Sequence, residues 1–429
     1  MSLTVSILAT GSEILDGRVV DTNSNFVAQI LSERGIPLKR ILTVDDNLPE
    51  LLAGLEILHE VSDVIITIGG LGPTADDLTR DMSAAYAGVQ LVEYPEARQH
   101  LIDFYAVRKR TLDPSNLRQA MLPQGSEMIP NPCGTAPGFI VTRKGAEKGT
   151  KIVCSLSGVP REFKAMFNDT VLPLLLARSS GSKEVIRAGF RLFGLPESVV
   201  GKEVVALGFP ESIGVSYRAS FPEVHLVVKG VEPSEVAACA DKIRNSPSLS
   251  PFIFTEDVNQ SMSAIVSSLV RERKGSIAAA ESCTAGMFSA ALAALPGSSD
   301  ILKGGVVAYS NEVKVNQLGV PAELIAQDGA VSASVAKAMA GGCRERLGAT
   351  FGIGITGIAG PGGGSPEKPV GTFYVAVATE DSVQVKGCLF VNERSYVQRY
   401  AVHAALELLR RTLVGNPAGA PFPSEIVKQ

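Results

Sequence analysis

The segment Ala280-Glu281-Ser282-Cys283-Thr284-Ala285-Gly286 places a hydroxyl and a thiol side by side in a short polar turn. The apolar run before it, residues 277–280, suits a buried strand, and Met287, Ala290, Ala291 and Ala294 after it recur at helical spacing. Such a turn can hold a nucleophile and stabilise an anion together, because amides at a helix start lack an intrahelical acceptor. A plain helix cap uses the same residue types. Two further segments are rich in glycine. Gly69-Gly70-Leu71-Gly72-Pro73-Thr74-Ala75-Asp76-Asp77-Leu78-Thr79, with Asp81 just beyond, suits a cation bridging phosphates, and equally an Asp-capped turn. The loop from Thr356-Gly357-Ile358-Ala359-Gly360-Pro361 to Lys368-Pro369-Val370-Gly371 has more glycine than a core needs, since each loses chain entropy on ordering, so close backbone approach to a ligand is its expected use. Arg394 and Arg399 stand at the start of a helical pattern, against the usual acidic preference there. A bound phosphate accounts for them, and so does simple exposure.

These segments need scaffolds. Residues 3–9, 38–44 and 64–68 read as strands and 23–31 and 48–58 as helices, an alternation that predicts a parallel α/β sheet with its ligand at the carboxyl ends of the strands. The Gly69–Thr79 loop lies at such an end. Residues 151–154 form a further strand, and the composition of 177–183 turns to that of a linker. A two-layer α+β unit follows, with strands at 185–193, 213–219 and 224–231 and helices at 196–206 and 233–244. In the last part, helices are expected at 257–273 (starting near Asp257 or Gln260), at 332–347 and at 394–413, with another opening at Ser310-Asn311-Glu312-Val313-Lys314. Strands are expected at 304–309, 350–355, 373–378 and 383–391. The Pro-, Gly- and Ala-rich tail from about Gly415 is expected to be mobile.

With 429 residues, 45% hydrophobic and 20% charged, the chain predicts two or three folded domains and excludes a disordered protein; a net charge of −4 offers no general attraction for nucleic acid. No apolar run approaches membrane-spanning length and the N-terminus lacks a basic, apolar leader, so a cytoplasmic protein with no membrane partner is expected. The six cysteines and four histidines are scattered without zinc-like spacing.

In combination the motifs become specific. Gly11-Ser12-Glu13, the Gly69–Thr79 loop, Asn131-Pro132-Cys133-Gly134-Thr135-Ala136-Pro137-Gly138 and Leu156-Ser157-Gly158-Val159-Pro160-Arg161-Glu162 resemble, in order and over residues 1–172, the molybdopterin-binding domain at the front of CinA proteins, the competence/damage-inducible family. Ser157 stands where that family typically has proline. Because some members resemble pyrophosphatases acting on ADP-ribose, the resemblance implies a divalent metal, cobalt or magnesium with potassium as companion. It implies Asp77 as the metal-linked carboxylate, Gly70 and Gly72 framing the phosphate, and Glu13 nearby. Residues 184–254 resemble the KH-type middle domain. Since Gly194-Leu195-Pro196-Glu197-Ser198 is acidic and no basic G-x-x-G occurs, a spacer or homodimer-forming role is expected there in preference to RNA binding.

Residues 257–415 closely resemble the CinA C-terminal domain, whose active members are nicotinamide-nucleotide amidohydrolases. The resemblance rests on the Ser282 turn, Tyr309-Ser310-Asn311-Glu312-Val313-Lys314 and the Gly357–Gly371 loop. It implies Ser282 as nucleophile, Lys314 as base, Tyr309 as their support, and Thr284, Gly286, Thr356, Gly357, Gly360 and Arg394 as substrate contacts, with no cofactor. The chemistry is coherent on its own terms. A lysine can take the serine proton if burial lowers its pKa, amides at Cys283 and Thr284 can hold the oxyanion, and Arg394 a ribose phosphate. Cys283 is the rival nucleophile, but His403, the one histidine of this part, falls mid-helix. Thr284 is expected to cap the following helix. The whole is expected to be a multidomain α/β enzyme, its first domain three-layered, that hydrolyses nicotinamide mononucleotide and cleaves ADP-ribose. The alternative is a non-catalytic ligand-binding scaffold associated with competence or recombination.

Overall fold

Strands β1 (Val5–Thr10), β2 (Leu38–Val44) and β3 (Val64–Ile68) start a sheet in which β1 and β3 are buried at every position, as apolar strands covered on both faces must be. The structure, a computed structural model, describes residues 3–144, 150–179, 185–415 and 421–425. It divides into two units, Met1–Val185 and Ile186–Gln429. In the first, β4 (Leu91–Glu93) and β5 (Met121–Pro123) form a small antiparallel pair, while β6 (Glu127–Ile129), β7 (Gly138–Lys144) and β8 (Thr150–Leu156) complete the main sheet in the order β2-β1-β3-β8-β7-β6. Four strands are parallel, as expected. β7 alone is reversed, antiparallel to both β8 and β6, a departure with a simple cause: five residues separate β7 from β8, too few for a parallel crossover.

Helices cover both faces. Val27 and Leu31 of Thr22–Glu33 join Phe163, Phe167, Ile7 and Ile66 on one side, and Leu51, Leu55 and Met82 join Leu8 and Ile65 on the other, giving the three layers. Asp21 caps the first of these helices by accepting from Ser24 N at 2.9 Å. Of the linker expected at 177–183, Ala177 and Arg178 end the helix Leu172–Arg178, and residues 180–184 lie outside the described residues.

The second unit holds two sheets. β9 (Ile186–Phe193), β10 (Gly214–Ser220), β11 (Glu223–Gly230) and β12 (Ile253–Thr255) are antiparallel in the order β10-β11-β9-β12. Three-residue β12 is too short to show a period, and sequence alone missed it. Helices Glu197–Ala206 and Pro233–Arg244 pack on this sheet through Val200, Val204, Val236 and Ile243. The other sheet contains β13 (Ile277–Glu281), β14 (Leu302–Val307), β15 (Phe351–Gly357), β16 (Thr372–Ala378) and β17 (Val383–Leu389), ordered β14-β13-β15-β16-β17 with the first three parallel and the last two antiparallel. One face carries helices Met262–Glu272 and Arg394–Val414, the other Ala333–Arg346. Ser261, not Asp257 or Gln260, caps the first of these, accepting from Ala264 N at 3.2 Å.

The tail departs from expectation where it is described. Phe422 is buried in the core against the long final helix, Ser424 O accepts from Leu389 N at 3.0 Å, and Glu425 pairs with Lys386 at 2.6 Å. Its apolar Phe outweighs its Pro/Gly composition. All six cysteines are free, and among the described residues no helix is long and apolar enough to cross a membrane.

Helix Ala333–Arg346 lies so close on β15 that a Cβ added at Gly354 would stand 2.2 Å from Ala336 O. Gly354→Val is therefore expected to destabilise the fold by about 1–3 kcal/mol or to prevent folding, as overpacking does, read by urea denaturation.

Candidate functional site

β13 delivers Glu281 into the core and Ser282 to the sheet's carboxyl edge, where Ser282 N continues the ladder by donating to Ile355 O at 2.9 Å. The turn then reverses through Ala285 (φ 50°) and Gly286 (φ 98°), and the helix begins at Met287. The Glu281 carboxylate, not Thr284, holds that helix start. It accepts from Gly286 N at 3.1 Å, Phe288 N at 3.0 Å, Ser289 N at 2.9 Å and Ser289 Oγ at 2.8 Å. An anion so placed satisfies the orphan amides and complements the dipole. The cap expected of Thr284 does not form, and its buried Oγ1 has no partner. Nor are the helix-start amides available to an oxyanion. The donors left are the amides of Cys283 and Thr284, for which the described residues supply no backbone acceptor.

Lys314 meets Ser282 from the neighbouring strand's end. Helix Asn311–Leu318, capped by Ser310 Oγ on Val313 N at 3.3 Å, turns the side chain inward until it is 1% exposed. Its Nζ lies 3.2 Å from Ser282 Oγ, 2.8 Å from Ala308 O and 3.2 Å from Tyr309 O. Burial depresses the amine below the ordinary lysine value, only partly opposed by nearby Cys283. The three neighbours match a neutral amine: two N–H groups for two carbonyls and a lone pair for the serine hydroxyl. Ser282 itself is 8% exposed, so the pair stands at the rim of the core.

The rival nucleophile loses its case. Cys283 is buried and its thiol is pushed up to about 12 by desolvation. His403 uses Nδ1 on Arg399 O at 3.1 Å and Nε2 on Glu223 Oε1 at 3.2 Å.

The remaining expected residues gather unevenly. Arg394, the first residue of the final helix, donates Nη1 to Gly360 O at 2.7 Å and Nη2 to Tyr309 Oη at 2.8 Å, tying the glycine-rich loop to the Tyr309 segment. Tyr309 supports Lys314 through its backbone carbonyl. Its phenol, 57% exposed, bonds Arg394 instead of the Ser–Lys pair, which corrects the role expected of that side chain. Thr356 is buried and gives its hydroxyl proton to Ala330 O at 2.8 Å, leaving only lone pairs for a ligand. Gly357 packs where a Cβ would meet Phe373 Cβ at 2.5 Å. Arg399 is spent on Phe221 O and takes no part. Gln398 was not anticipated; its Nε2 donates to Cys283 O at 2.7 Å. Its place one turn after Arg394 is the signal that could have found it.

In the first unit, the loops after β1, β3 and β8 line a cleft of about 520 Å³ that includes all four expected residues, Glu13, Gly70, Gly72 and Asp77. Gly70 (φ 65°) leaves room for Thr79 Oγ1, which a Cβ would meet at 2.3 Å. Asp77 Oδ2 is committed to Thr74, accepting from N at 2.9 Å and Oγ1 at 2.5 Å. Arg80, fully buried and unforeseen, donates to Leu71 O at 2.6 Å and Gly72 O at 2.7 Å, and desolvation brings it down to about 10. Glu162, also in the cleft wall, accepts from Asn131 Nδ2 at 2.9 Å and Ser157 Oγ at 2.8 Å. Among the described residues no three His, Cys, Asp or Glu side chains cluster to hold a metal, so these carboxylates fit only a cation that brings phosphate ligands with it.

Fold and geometry thus define a multidomain α/β protein with a strand-end ligand cleft in one unit and a buried Ser–Lys pair in the other. Residues 259–413 match the CinA C-terminal domain and residues 6–177 the probable molybdopterin binding domain. A CinA-like protein of Citrifermentans bemidjiense is 41% identical over 414 residues, 96% of this chain and 97% of the relative. A protein of Moorella thermoacetica described as competence-damage inducible is 38% identical over 408 residues, 94% and 97% of the two chains. The solved CinA protein of Thermoplasma acidophilum shares 34% identity over 40% of this chain and 98% of its own, with a TM-score of 0.37. The chain belongs to the CinA family.

Replacing the helix-holding carboxylate by Glu281→Ala strands three backbone amides. It is expected to lower unfolding free energy by about 3 kcal/mol or more in a denaturant titration.

Proposed function

We propose that the C-terminal part of the chain hydrolyses the carboxamide of nicotinamide mononucleotide to nicotinate mononucleotide and ammonia. The observation that carries this is the buried Lys314 amine 3.2 Å from Ser282 Oγ, with burial lowering its pKa. The choice of substrate follows from the resemblance to nicotinamide-nucleotide amidohydrolases. Neutral Lys314 removes the hydroxyl proton as Ser282 Oγ attacks the carboxamide carbon, and the carbonyl π pair moves to oxygen. The tetrahedral adduct collapses as Lys314 returns the proton to the nitrogen, expelling ammonia and leaving an ester on Ser282. Water, deprotonated by the same amine, attacks that ester and frees the nicotinate and the serine hydroxyl. Arg394 keeps guanidinium donors beyond those used on Gly360 and Tyr309, and it sits at a helix start, a combination suited to the ribose phosphate.

The first unit supports a second activity, cleavage of ADP-ribose to AMP and ribose 5-phosphate, favoured by a cleft that joins glycine-loop backbone to carboxylates. Asp77 and Glu13 would hold a divalent metal arriving with the pyrophosphate, which supplies charge neutralisation on the phosphate oxygens. Gly70 and Gly72 let the backbone approach those oxygens closely.

Purified protein is expected to release ammonia from nicotinamide mononucleotide, with Ser282→Ala and Lys314→Ala each down by at least about 10³-fold. The wild-type kcat/KM should rise with pH along a limb centred below the ordinary 10.5, because only the neutral amine accepts the proton. No ammonia from wild type rejects the amidase. For the first unit, Asp77→Ala is expected to abolish metal-dependent AMP release from ADP-ribose, and unchanged release rejects that site.

A further inference from the structure

The turn after β13 has eight backbone amides between Ser282 and Ser289, and six have acceptors. Ser282 N donates to Ile355 O at 2.9 Å, Ala285 N to Ser282 O at 3.2 Å and Met287 N to Thr284 O at 3.0 Å. Those of Gly286, Phe288 and Ser289 go to Glu281. Among the described residues the amides of Cys283 and Thr284, next to the nucleophile, have no backbone acceptor. A peptide unit is planar and trans, so its C=O and N–H point to opposite sides. The carbonyl of Cys283 and the N–H of Thr284 belong to one such unit, and Gln398 Nε2 holds that carbonyl at 2.7 Å. Whatever fixes the oxygen also fixes the N–H, here directed away from the final helix. Gln398 sits one helical turn after Arg394, so a single helix face presents both the guanidinium at the site's mouth and the amide that grips the turn.

We propose that Gln398 is a positioning residue that orients the Cys283–Thr284 peptide, so that the Thr284 N–H donates to the oxyanion formed when Ser282 attacks. This rests on the Ser282–Lys314 acyl-transfer reading above. Gln398 does not touch the reacting atoms. It turns one dipole toward the position where the carbonyl π pair becomes a negative oxygen, and such a donor is effective because it needs no reorganisation during the reaction. With the carbonyl released, the peptide can rotate and the donor is misaimed.

The test uses the full chain and three variants: Gln398→Leu, which keeps bulk but has no donor, Gln398→Lys, which restores a donor at similar reach, and Ser282→Ala. Two readouts are taken. With nicotinamide mononucleotide, Gln398→Leu is expected to lower kcat about 10–100-fold while KM stays within about twofold, and Gln398→Lys to recover most of the loss, with equal melting temperatures. Removing an oxyanion donor outright costs about 10²–10³-fold, and misaiming one costs less. The second readout is the rate at which a fluorophosphonate modifies Ser282, followed by mass spectrometry. Its phosphoryl oxygen uses the same donor whatever the natural substrate. Gln398→Leu should label at least about tenfold more slowly than wild type, and Ser282→Ala should not label. If wild type labels in this pattern but releases no ammonia, the amidase fails and the positioning role stands. If Gln398→Leu labels at the wild-type rate, or if its kcat, KM and melting temperature fall together without rescue by Gln398→Lys, the positioning role is overturned. Absence of labelling in wild type overturns both.

Discussion

A lysine amine buried with one hydroxyl and two carbonyls for company, and no carboxylate within bonding distance among the described residues, is the constraint around which the second unit is arranged. An ammonium in that position would lack a counter-charge in a poorly solvated place, so the surroundings favour the neutral form. Each contact is supplied by a strand end. β13 contributes Ser282, and the residues following β14 contribute the Ala308 and Tyr309 carbonyls. Ala308 N, donating to Glu281 O at 2.8 Å, locks the two ends in register. The parallel β14-β13-β15 arrangement is what brings these ends to one edge.

Both units prepare a site by burying a charge behind it, with opposite signs. Behind the Ser282 turn, Glu281 occupies the amides of Gly286, Phe288 and Ser289, so among the described residues the backbone donors left without a backbone acceptor in the turn are those of Cys283 and Thr284. Behind the Gly69–Thr79 loop, Arg80 occupies the Leu71 and Gly72 carbonyls. By peptide planarity, the grip on Leu71 O turns the Gly72 N–H the other way. In each case a fully buried ion spends itself on backbone groups of one polarity and so selects which of the others face outward.

Much of this was legible in the residues. Regular elements with a clear period, such as Thr22–Glu33, β3 and the final helix, fall within a few residues of where their patterns place them. Of the motif residues, Ser282 meets Lys314 and Arg394 meets Gly360 and Tyr309, while Glu13, Gly70, Gly72 and Asp77 line one cleft. What sequence could not show was which atom of a residue does the work. Tyr309 acts on Lys314 through its carbonyl, and Glu281, a turn residue by pattern, ends β13 and serves as the helix anchor in place of Thr284. Arg80 and Gln398 act on carbonyls, which carry no side-chain signature, and Gln398 does so across 115 residues. The buried tail escaped because one Phe among prolines and glycines gives no periodicity.

The final helix is also gripped from the side facing the four-stranded sheet: Arg399 reaches Phe221 O, His403 meets Glu223, and Arg411 Nη2 donates to Pro251 O at 3.2 Å. The matched C-terminal segment, 259–413, contains every residue of the Ser–Lys site and none of those three partners. The portion of the chain that contains the Ser–Lys pair and the portion that holds its final helix in place therefore have different borders. A mutation on the small sheet can reach the Ser282 turn through this one helix without altering any residue of the site. A lineage that sheds the preceding sheet must either find another support for that helix or accept a looser turn.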